Sequence, residues 1–295
     1  MGEYYGLPTG ELSNPFFRLE YLSSLGPRII RLAPRGEEIN LLAEVPQFGW
    51  QTVNGFYSVR GGHRLWHAPE TAQRTYVPDD DPILIEQIPN GVSLVQPVEK
   101  QTGIQKEIRV EVSPGHPQVV LTHILTNQNL WPVELAPWAI TQLQLGGLVV
   151  LPQQEGKLDQ GGLQANRHLV LWPYTRWDDP RLKLGEAYIQ VLAQPRDSQF
   201  KIGYFNRHGW FGYFYQQWFF CKRFIPRLQG LHPDFGSNVE VFSDHQFVEL
   251  ETLGPLERLE PGEKVQHREI WSLHHTGAMP ATLEEAHAKI MELEL

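Results

Sequence analysis

Alternating apolar and polar positions recur along this chain and predict β-strands. The clearest run spans residues 104–112, where aliphatic side chains alternate with glutamine, glutamate and arginine. Residues 265–273 show the same period of two, which places one face of a strand in the core and the other in solvent. Turn residues separate these runs. The sequence therefore predicts an all-β fold of many short strands.

Few segments depart from the strand pattern. Residues 39–43 are predicted as another short strand, and residues 148–197 as an elaborated loop that carries one or two strands. The one predicted helix is the last element, where Thr282 and Glu285 form a capping box ahead of residues 286–293. The prediction is thus a β-rich protein with a short C-terminal helix.

Two carboxylates fall on the same face of a predicted strand near the C-terminus. Glu249 and Glu251 alternate with Val248 and Leu250 in the run 246–253, so a strand would bury the aliphatic pair and turn both acids toward water or a cleft. A carboxylate in a cleft is a candidate general base. The alternative interpretation is an ordinary solvated strand face.

Two further segments carry candidate pocket residues. The run 61–70 begins with paired glycines and includes Arg64 and Trp66, and paired glycines are typical of bulges and of rims that approach a ligand. In the run 133–143, Trp138, Thr141 and Gln142 are candidates to line a pocket. In both segments the alternative is a tryptophan packed in the core.

Composition narrows the classes of partner. The 295 residues include 25 basic and 34 acidic side chains, a formal net charge of −9, which argues against nucleic acid and anionic membranes. The nine Trp, ten Tyr and 14 Phe supply aromatic faces on which a sugar ring can stack. The single cysteine excludes an internal disulfide, and neither a signal sequence nor a long apolar run is present. We therefore expect a cytoplasmic protein with no membrane partner.

The motifs of cofactor and covalent chemistry are missing. There is no Gly-x-Ser-x-Gly elbow and no Gly-rich phosphate loop ahead of a helix. His63 and His67 are four residues apart, but the paired glycines before them do not suggest the helix that would align two metal ligands. We expect neither a metal nor another cofactor, and a small-molecule sugar as the partner.

Four segments together resemble the galactose mutarotase-like proteins related to aldose 1-epimerase. They are 61–70 (GGHRLWHAPE), 123–142 with its APWAIT run, 232–242 (HPDFGSNVEVF), and 247–263 with VELETLGP and LEPGE. The resemblance extends over most of the chain. It implies one domain over residues 1–295, a large antiparallel β-sandwich of the supersandwich type, with a sugar-binding cleft on one sheet.

The resemblance also implies a reaction. In mutarotases a glutamate removes the proton of the anomeric hydroxyl while a histidine protonates the ring oxygen. The glutamate motif Leu-Glu-Thr matches residues 250–252, which makes Glu251 the expected base, with Glu249 beside it. The comparable histidine position falls in residues 138–141, which contain no histidine. Either His63, His67 or Lys201 supplies the proton, or the protein binds a sugar without turning it over.

Expected substrate contacts complete the hypothesis. Arg64 and Asp234 each follow a turn and can reach hydroxyls through charge-assisted bonds. Trp66 and Trp210 are candidates for the aromatic face, and Trp138 and His67 for further contacts. A phosphorylated substrate would need converging cations; Arg64, Lys201, Lys222 and Arg223 are available for this.

Overall fold

The fold is built from antiparallel sheets. The computed structural model describes residues 2–153 and 156–293. Eleven strands form a front sheet: β1 Gly2–Tyr4, β2 Leu7–Ser13, β3 Phe17–Leu22, β4 Ile29–Pro34, β7 His63–Ala68, β12 Val133–Leu143, β14 Val170–Leu171, β17 Phe200–Tyr204, β20 Val239–Ser243, β21 Val248–Leu253 and β22 Glu257–Leu259. The central order is β4-β7-β12-β21-β20-β17.

Ten strands form a back sheet. They are β8 Leu84–Ile88, β9 Gly91–Val95, β10 Ile104–Val112, β11 Gln118–Asn127, β13 Leu148–Pro152, β15 Leu182–Leu184, β16 Tyr188–Leu192, β18 Trp210–Tyr215, β19 Trp218–Phe224 and β23 Lys264–His275. A separate hairpin pairs β5 Glu44–Thr52 with β6 Gly55–Gly61, and the helical segments are the turn α1 Pro233–Gly236 and helix α2 Leu283–Glu292. Neither helical segment of the described chain has the length and hydropathy needed to cross a membrane.

The main core lies between the two large sheets. It combines residues such as Leu19 and Leu250 of the front sheet with Ile108, Leu121 and Trp271 of the back sheet, all fully or almost fully buried. Packing two apolar sheet faces together is the basis of a β-sandwich. The predicted all-β sandwich with a C-terminal helix is therefore confirmed.

Most strand predictions hold and one is wrong. The alternating run of β10 shows alternating burial along all nine residues, and Thr282 caps α2 by accepting the Glu285 N–H. Residues 39–43 do not form a strand, however. Asn40 Oδ1 accepts the N–H groups of Leu32 and Leu42, both at 3.0 Å. The backbone of Leu41 bonds to Leu32 on one side and to Gln144 on the other, so no continuous ladder forms and only an isolated bridge, Leu42 to Leu143, is present.

The region predicted as a loop with one or two strands contains more structure than expected. Four strands, β13 to β16, lie within residues 148–192. Two of them, β14 and β15, have only two and three residues. Such short strands leave too few positions for a period of two to be recognised in the sequence.

A buried polar network connects the two sheets. Lys222 Nζ of β19 donates to Thr141 Oγ1 of β12 at 3.0 Å and to Leu250 O at 2.9 Å, and it pairs with Glu269 Oε1 at 2.9 Å. His63 Nδ1 lies 2.9 Å from the same Thr141 hydroxyl. Because all three ammonium donors are used and the carboxylate is paired, this network satisfies charges that would otherwise be costly to bury.

Candidate functional site

An aromatic cleft of about 380 Å³ lies on the outer face of the front sheet. Its floor comes from the central strands, since the residues on this face of β7, β12, β21 and β17 alternate with those that enter the main core. Its lining is largely aromatic and includes Phe48, Trp50, Trp66, Tyr76, Trp138, Trp172, Tyr174, Phe242 and Phe247. A concave site with aromatic walls and a few polar groups is typical of small-molecule binding.

The β5–β6 hairpin supplies one side of the cleft. Trp50 and Tyr57 pack at 5.5 Å between ring centroids, and Tyr57 accepts a 2.9 Å hydrogen bond from Trp66 Nε1 on the cleft floor. The paired glycines at the end of the hairpin allow its close approach. A Cβ on Gly61 would lie 2.0 Å from Ala43 O, and one on Gly62 2.0 Å from Ile29 O, and both residues have positive φ.

Glu249 presents a carboxylate to the cleft. Its Oε1 accepts hydrogen bonds from Arg64 Nη2 at 2.9 Å and from Gln142 Nε2 at 2.8 Å. No hydrogen bond to its Oε2 is found among the described residues, and the residue lines the cleft. Burial raises the pKa of Glu249 to about 7, with Arg64 opposing the shift and the neighbouring Glu251 adding to it. A carboxyl that titrates near neutrality suits proton transfer at physiological pH.

Glu251 lies beneath the cleft and is fully buried. Its Oε2 accepts the indole N–H of Trp138 at 2.7 Å and the ammonium of Lys201 at 3.0 Å. Lys201 also pairs with Glu240 Oε2 at 2.7 Å. Burial opposes the charge of Lys201, but Glu240, Glu251 and Glu70 outweigh it and hold the pKa of Lys201 well above its usual range. Lys201 therefore enters the cleft as a protonated donor held from below by carboxylates.

Aromatic rings surround the two cations of the cleft. The Arg64 guanidinium lies 4.3 Å from the ring centroid of Trp66, and Lys201 Nζ lies 4.7 Å from those of both Trp138 and Trp172. Contacts of this kind stabilise a charge that has lost part of its hydration. They also fix the side chains of Arg64 and Lys201 at the floor.

The structure brings half of the expected site residues together in the cleft. Arg64, Trp66, Trp138, Lys201 and Glu249 all line the cleft. Of the other candidates on β12, Gln142 lines the cleft as well, but Thr141 points into the core, as the period of two requires.

The other expected site residues lie elsewhere. His63 and His67 are on the inner face of β7: His63 contacts His123 of the back sheet, and His67 lies 3.6 Å from Glu99. Trp210 packs near Tyr188 in a separate cluster under α2. Asp234 does not line the cleft, although its charge interacts with Lys201 and burial raises its pKa.

Several cleft residues were missed by sequence reasoning. Trp172 and Tyr174 follow the two-residue strand β14, Glu70 and Tyr76 come from the loop after β7, and Asp244 comes from the turn between β20 and β21. Except for Glu70, which ends the run 61–70, these residues lie outside every run and motif that the sequence analysis identified. Only the high aromatic content of the chain hinted that an aromatic site was present.

One buried trio has the composition of a metal site. Ligating atoms of His63, His123 and Glu269 lie within 4.8 Å of one another. They already bond to each other and to neighbours, however: His63 Nε2 and His123 Nε2 are 2.7 Å apart, and His123 Nδ1 lies 3.1 Å from His267 O. The Lys222 ammonium also lies 2.9 Å from Glu269 Oε1, where it would repel a cation. This donor set fits a hydrogen-bonded network better than a metal.

A second cleft, of about 440 Å³, lies near α2. Among the described residues that line it there is no aromatic and no carboxylate side chain, and the two charged ones are Arg181 and Lys183. The aromatic cleft of the front sheet therefore offers the stronger combination of stacking surface and acid–base groups.

Comparison with known proteins defines the class of fold. No protein-family model and no curated protein matches the sequence. Among solved structures, a galactose mutarotase-like protein from Lactobacillus casei has a TM-score of 0.58 at 10% identity, covering 90% of this chain and 100% of its own. A galactose mutarotase related enzyme from Lactobacillus acidophilus has a TM-score of 0.53 at 8% identity, covering 92% and 100%.

A third similar structure comes from a cyanobacterium. The Slr1438 protein from Synechocystis sp. PCC 6803 has a TM-score of 0.57 at 11% identity, and the match covers 94% of this chain and 99% of that one. At these identities the likeness concerns the fold. The chain thus has the galactose mutarotase-like fold that its sequence motifs resemble.

Proposed function

We propose that this protein binds a sugar in the aromatic cleft and interconverts its anomers by acid–base ring opening. The observation that carries the proposal is the pair formed by Glu249 and Lys201, which line one cleft and interact electrostatically. One is a carboxyl whose pKa is raised to about 7, and the other is an ammonium held in its protonated form. A base and a donor facing one substrate are what the reaction requires.

The proposed reaction moves two protons. The Glu249 carboxylate takes the proton of the anomeric hydroxyl, the bond between the anomeric carbon and the ring oxygen breaks, and the ring oxygen receives a proton from Lys201. Rotation about the bond next to the new aldehyde, followed by the reverse steps, closes the ring as the other anomer. Lys201 regains its proton from the ring-closing hydroxyl, so both groups end as they began.

This assignment places Glu249 in the role that the sequence motif gave to Glu251. The geometry favours Glu249 because both hydrogen bonds to it use Oε1, which leaves Oε2 for the substrate. Glu251 instead pairs with Lys201 from below, so its role is to position the ammonium. The aromatic walls would stack against the apolar face of the sugar ring.

Sugar binding without turnover is a second candidate function. It is favoured by one observation: no histidine is found among the described residues that line the cleft. A binding protein would need the aromatic walls and the polar floor but no proton-transfer pair.

Saturation-transfer exchange NMR on equilibrium mixtures of glucose and of galactose tests both candidates. We expect the protein to accelerate anomer interconversion and Glu249→Gln to remove most of the acceleration, whereas Glu38→Gln, a matched change at an exposed site, should leave it intact. Line broadening of the sugar without acceleration would establish the binding function instead. Neither broadening nor acceleration would reject both.

A further inference from the structure

The two cations of the cleft already have carboxylate partners. Arg64 Nη2 pairs with Glu249 at 2.9 Å, and Lys201 pairs with Glu240 at 2.7 Å and Glu251 at 3.0 Å. The other two guanidinium nitrogens of Arg64, Nε and Nη1, are sealed from solvent. An anionic ligand would have to displace one of these carboxylates, which would leave a buried charge unpaired.

Asp244 is a buried carboxylate without a cation. It is only 5% exposed and lines the cleft. Its Oδ1 accepts the backbone N–H groups of Gln246 at 2.7 Å and Phe247 at 3.2 Å. Among residues 2–153 and 156–293, no ion pair to Asp244 and no hydrogen bond to its Oδ2 is found. A buried charge is costly unless it is paired, so a ligand cation would complete this site.

A further carboxylate and an amide oxygen are found beside Asp244 in the lining of the cleft. Gln142 is fully buried at the floor, and its Nε2 donates to Glu249. Its Oε1 has no hydrogen-bond partner in the described chain, but it is sealed from solvent like Nε and Nη1 of Arg64. At the rim, Glu70 adds a further carboxylate, to which Tyr76 donates. Asp244 and Glu70 thus give the cleft negative charge, which favours a ligand that carries a cation.

We propose that the preferred ligand is a sugar that carries a protonated amine, with the ammonium paired to Asp244, and that phosphorylated sugars are disfavoured. This inference rests on the proposed function, because it concerns the substrate class of the same cleft. An ammonium has three donors and a positive charge, and its hydrogen bonds to a carboxylate are stronger than those of a neutral hydroxyl.

The test compares the affinities of glucose, its 2-amino and 6-amino derivatives, and glucose 6-phosphate by isothermal titration calorimetry, at about pH 6.5, where such amines are expected to be protonated. We expect one amino derivative to bind about tenfold more tightly than glucose and glucose 6-phosphate to bind most weakly. The Asp244→Asn variant should bring the amino derivative and glucose to similar affinity. Asp197→Asn, at an exposed site, should keep the preference.

The outcomes separate the inference from the proposed function. Equal binding of glucose and both amino derivatives, a preference that persists in Asp244→Asn, or tightest binding of glucose 6-phosphate would each overturn the inference and leave sugar binding established. Failure of every sugar to bind would overturn both. If Asp244→Asn does not fold, the preference of the unmodified protein must disappear once the pH is high enough to deprotonate the amine, and a preference that survives deprotonation would also reject the ion pair.

Discussion

Trp138 Nε1 donates a 2.7 Å hydrogen bond to Glu251 Oε2, so the indole lies between this carboxylate and the cleft. The two residues are on neighbouring strands, with Trp138 opposite Leu253 and Glu251 opposite Ile140 in the ladder. The bond therefore runs diagonally across the strand pair. It explains why the glutamate of the Leu-Glu-Thr motif is below the site surface while Glu249, two residues earlier, reaches it.

The buried ion pairs of Lys201 predict that replacing this lysine will strongly lower the free energy of unfolding. Lys201→Met leaves Glu240 and Glu251 buried with no ammonium between them, and removing one partner of a buried ion pair costs about 3 to 5 kcal/mol. Urea unfolding should show this loss. Arg176→Met is the matched control, because Arg176 pairs with Asp178 at an exposed site and exposed pairs contribute little. If the Lys201→Met protein is as stable as its parent, Lys201 does not compensate the buried charges of Glu240 and Glu251.

The pKa of Glu249 predicts the pH dependence of turnover. Burial raises this pKa to about 7, and only the carboxylate form can accept the anomeric proton. The rate should therefore rise with pH, about tenfold per unit well below pH 7, and level off above it. Anomer exchange measured across the pH range gives the midpoint.

A variant at Arg64 sharpens this prediction. The guanidinium lowers the pKa of Glu249, so Arg64→Met should move the midpoint of the profile to higher pH. Arg35→Met, at an exposed position, should leave the midpoint unchanged. A midpoint that does not move in Arg64→Met would mean that another group controls the profile.

The alternation of side chains along each strand allowed the sequence to predict on which face of the sheet a site residue lies. The alternation in β21 correctly puts Glu249 and Glu251 on the face opposite Leu250, and the one in β12 puts Trp138 and Gln142 on the same side of the sheet. Each of these predictions needs only local geometry. The fold class follows from the same regularity repeated along the chain.

The depth of a side chain below the cleft could not be predicted in this way. Glu249 and Glu251 are equivalent in the pattern. They differ because Trp138 and Lys201, the latter from β17 two strands away, both cover Glu251. The position of Asp244 depends on the turn between β20 and β21, whose backbone N–H groups bind its Oδ1. Strand order and turn geometry are long-range properties that no local pattern encodes.

The histidines between the sheets predict acid sensitivity. Burial lowers the pKa of His63 and His123, and lowers that of His267 to about 3. In the unfolded chain these groups titrate near pH 6.5. Because the folded protein keeps them neutral, the unfolded state binds more protons below that pH. The stability gained by keeping these histidines neutral should be fully present above about pH 6.5. It should fall as the pH drops toward the pKa values of the histidines in the folded protein.

The size of this effect can be measured by urea unfolding at a series of pH values. Each histidine contributes a slope of up to about 1.4 kcal/mol per pH unit inside its window. His123→Gln removes one titrating group. The slope of its unfolding free energy against pH should therefore be smaller than that of the parent by up to about 1.4 kcal/mol per pH unit, even if the variant is less stable overall. His116→Gln, at an exposed turn, should keep the parental slope. A stability independent of pH between about 4 and 6.5 would contradict the neutral network.

Substitutions of Trp66 and Trp210, which the sequence could not distinguish, are expected to have opposite effects on sugar affinity and on stability. Trp66 lines the cleft and stacks on Arg64, with ring centroids 5.3 Å from both Tyr76 and Trp138, so Trp66→Ala should weaken sugar binding by about 1 to 3 kcal/mol. Trp210 packs in the cluster under α2, so Trp210→Ala should lower the free energy of unfolding and leave sugar affinity unchanged. Titration calorimetry with glucose and urea unfolding of both variants provide the comparison. Sugar affinity that depends on Trp210 and not on Trp66 would place the binding site away from the aromatic cleft.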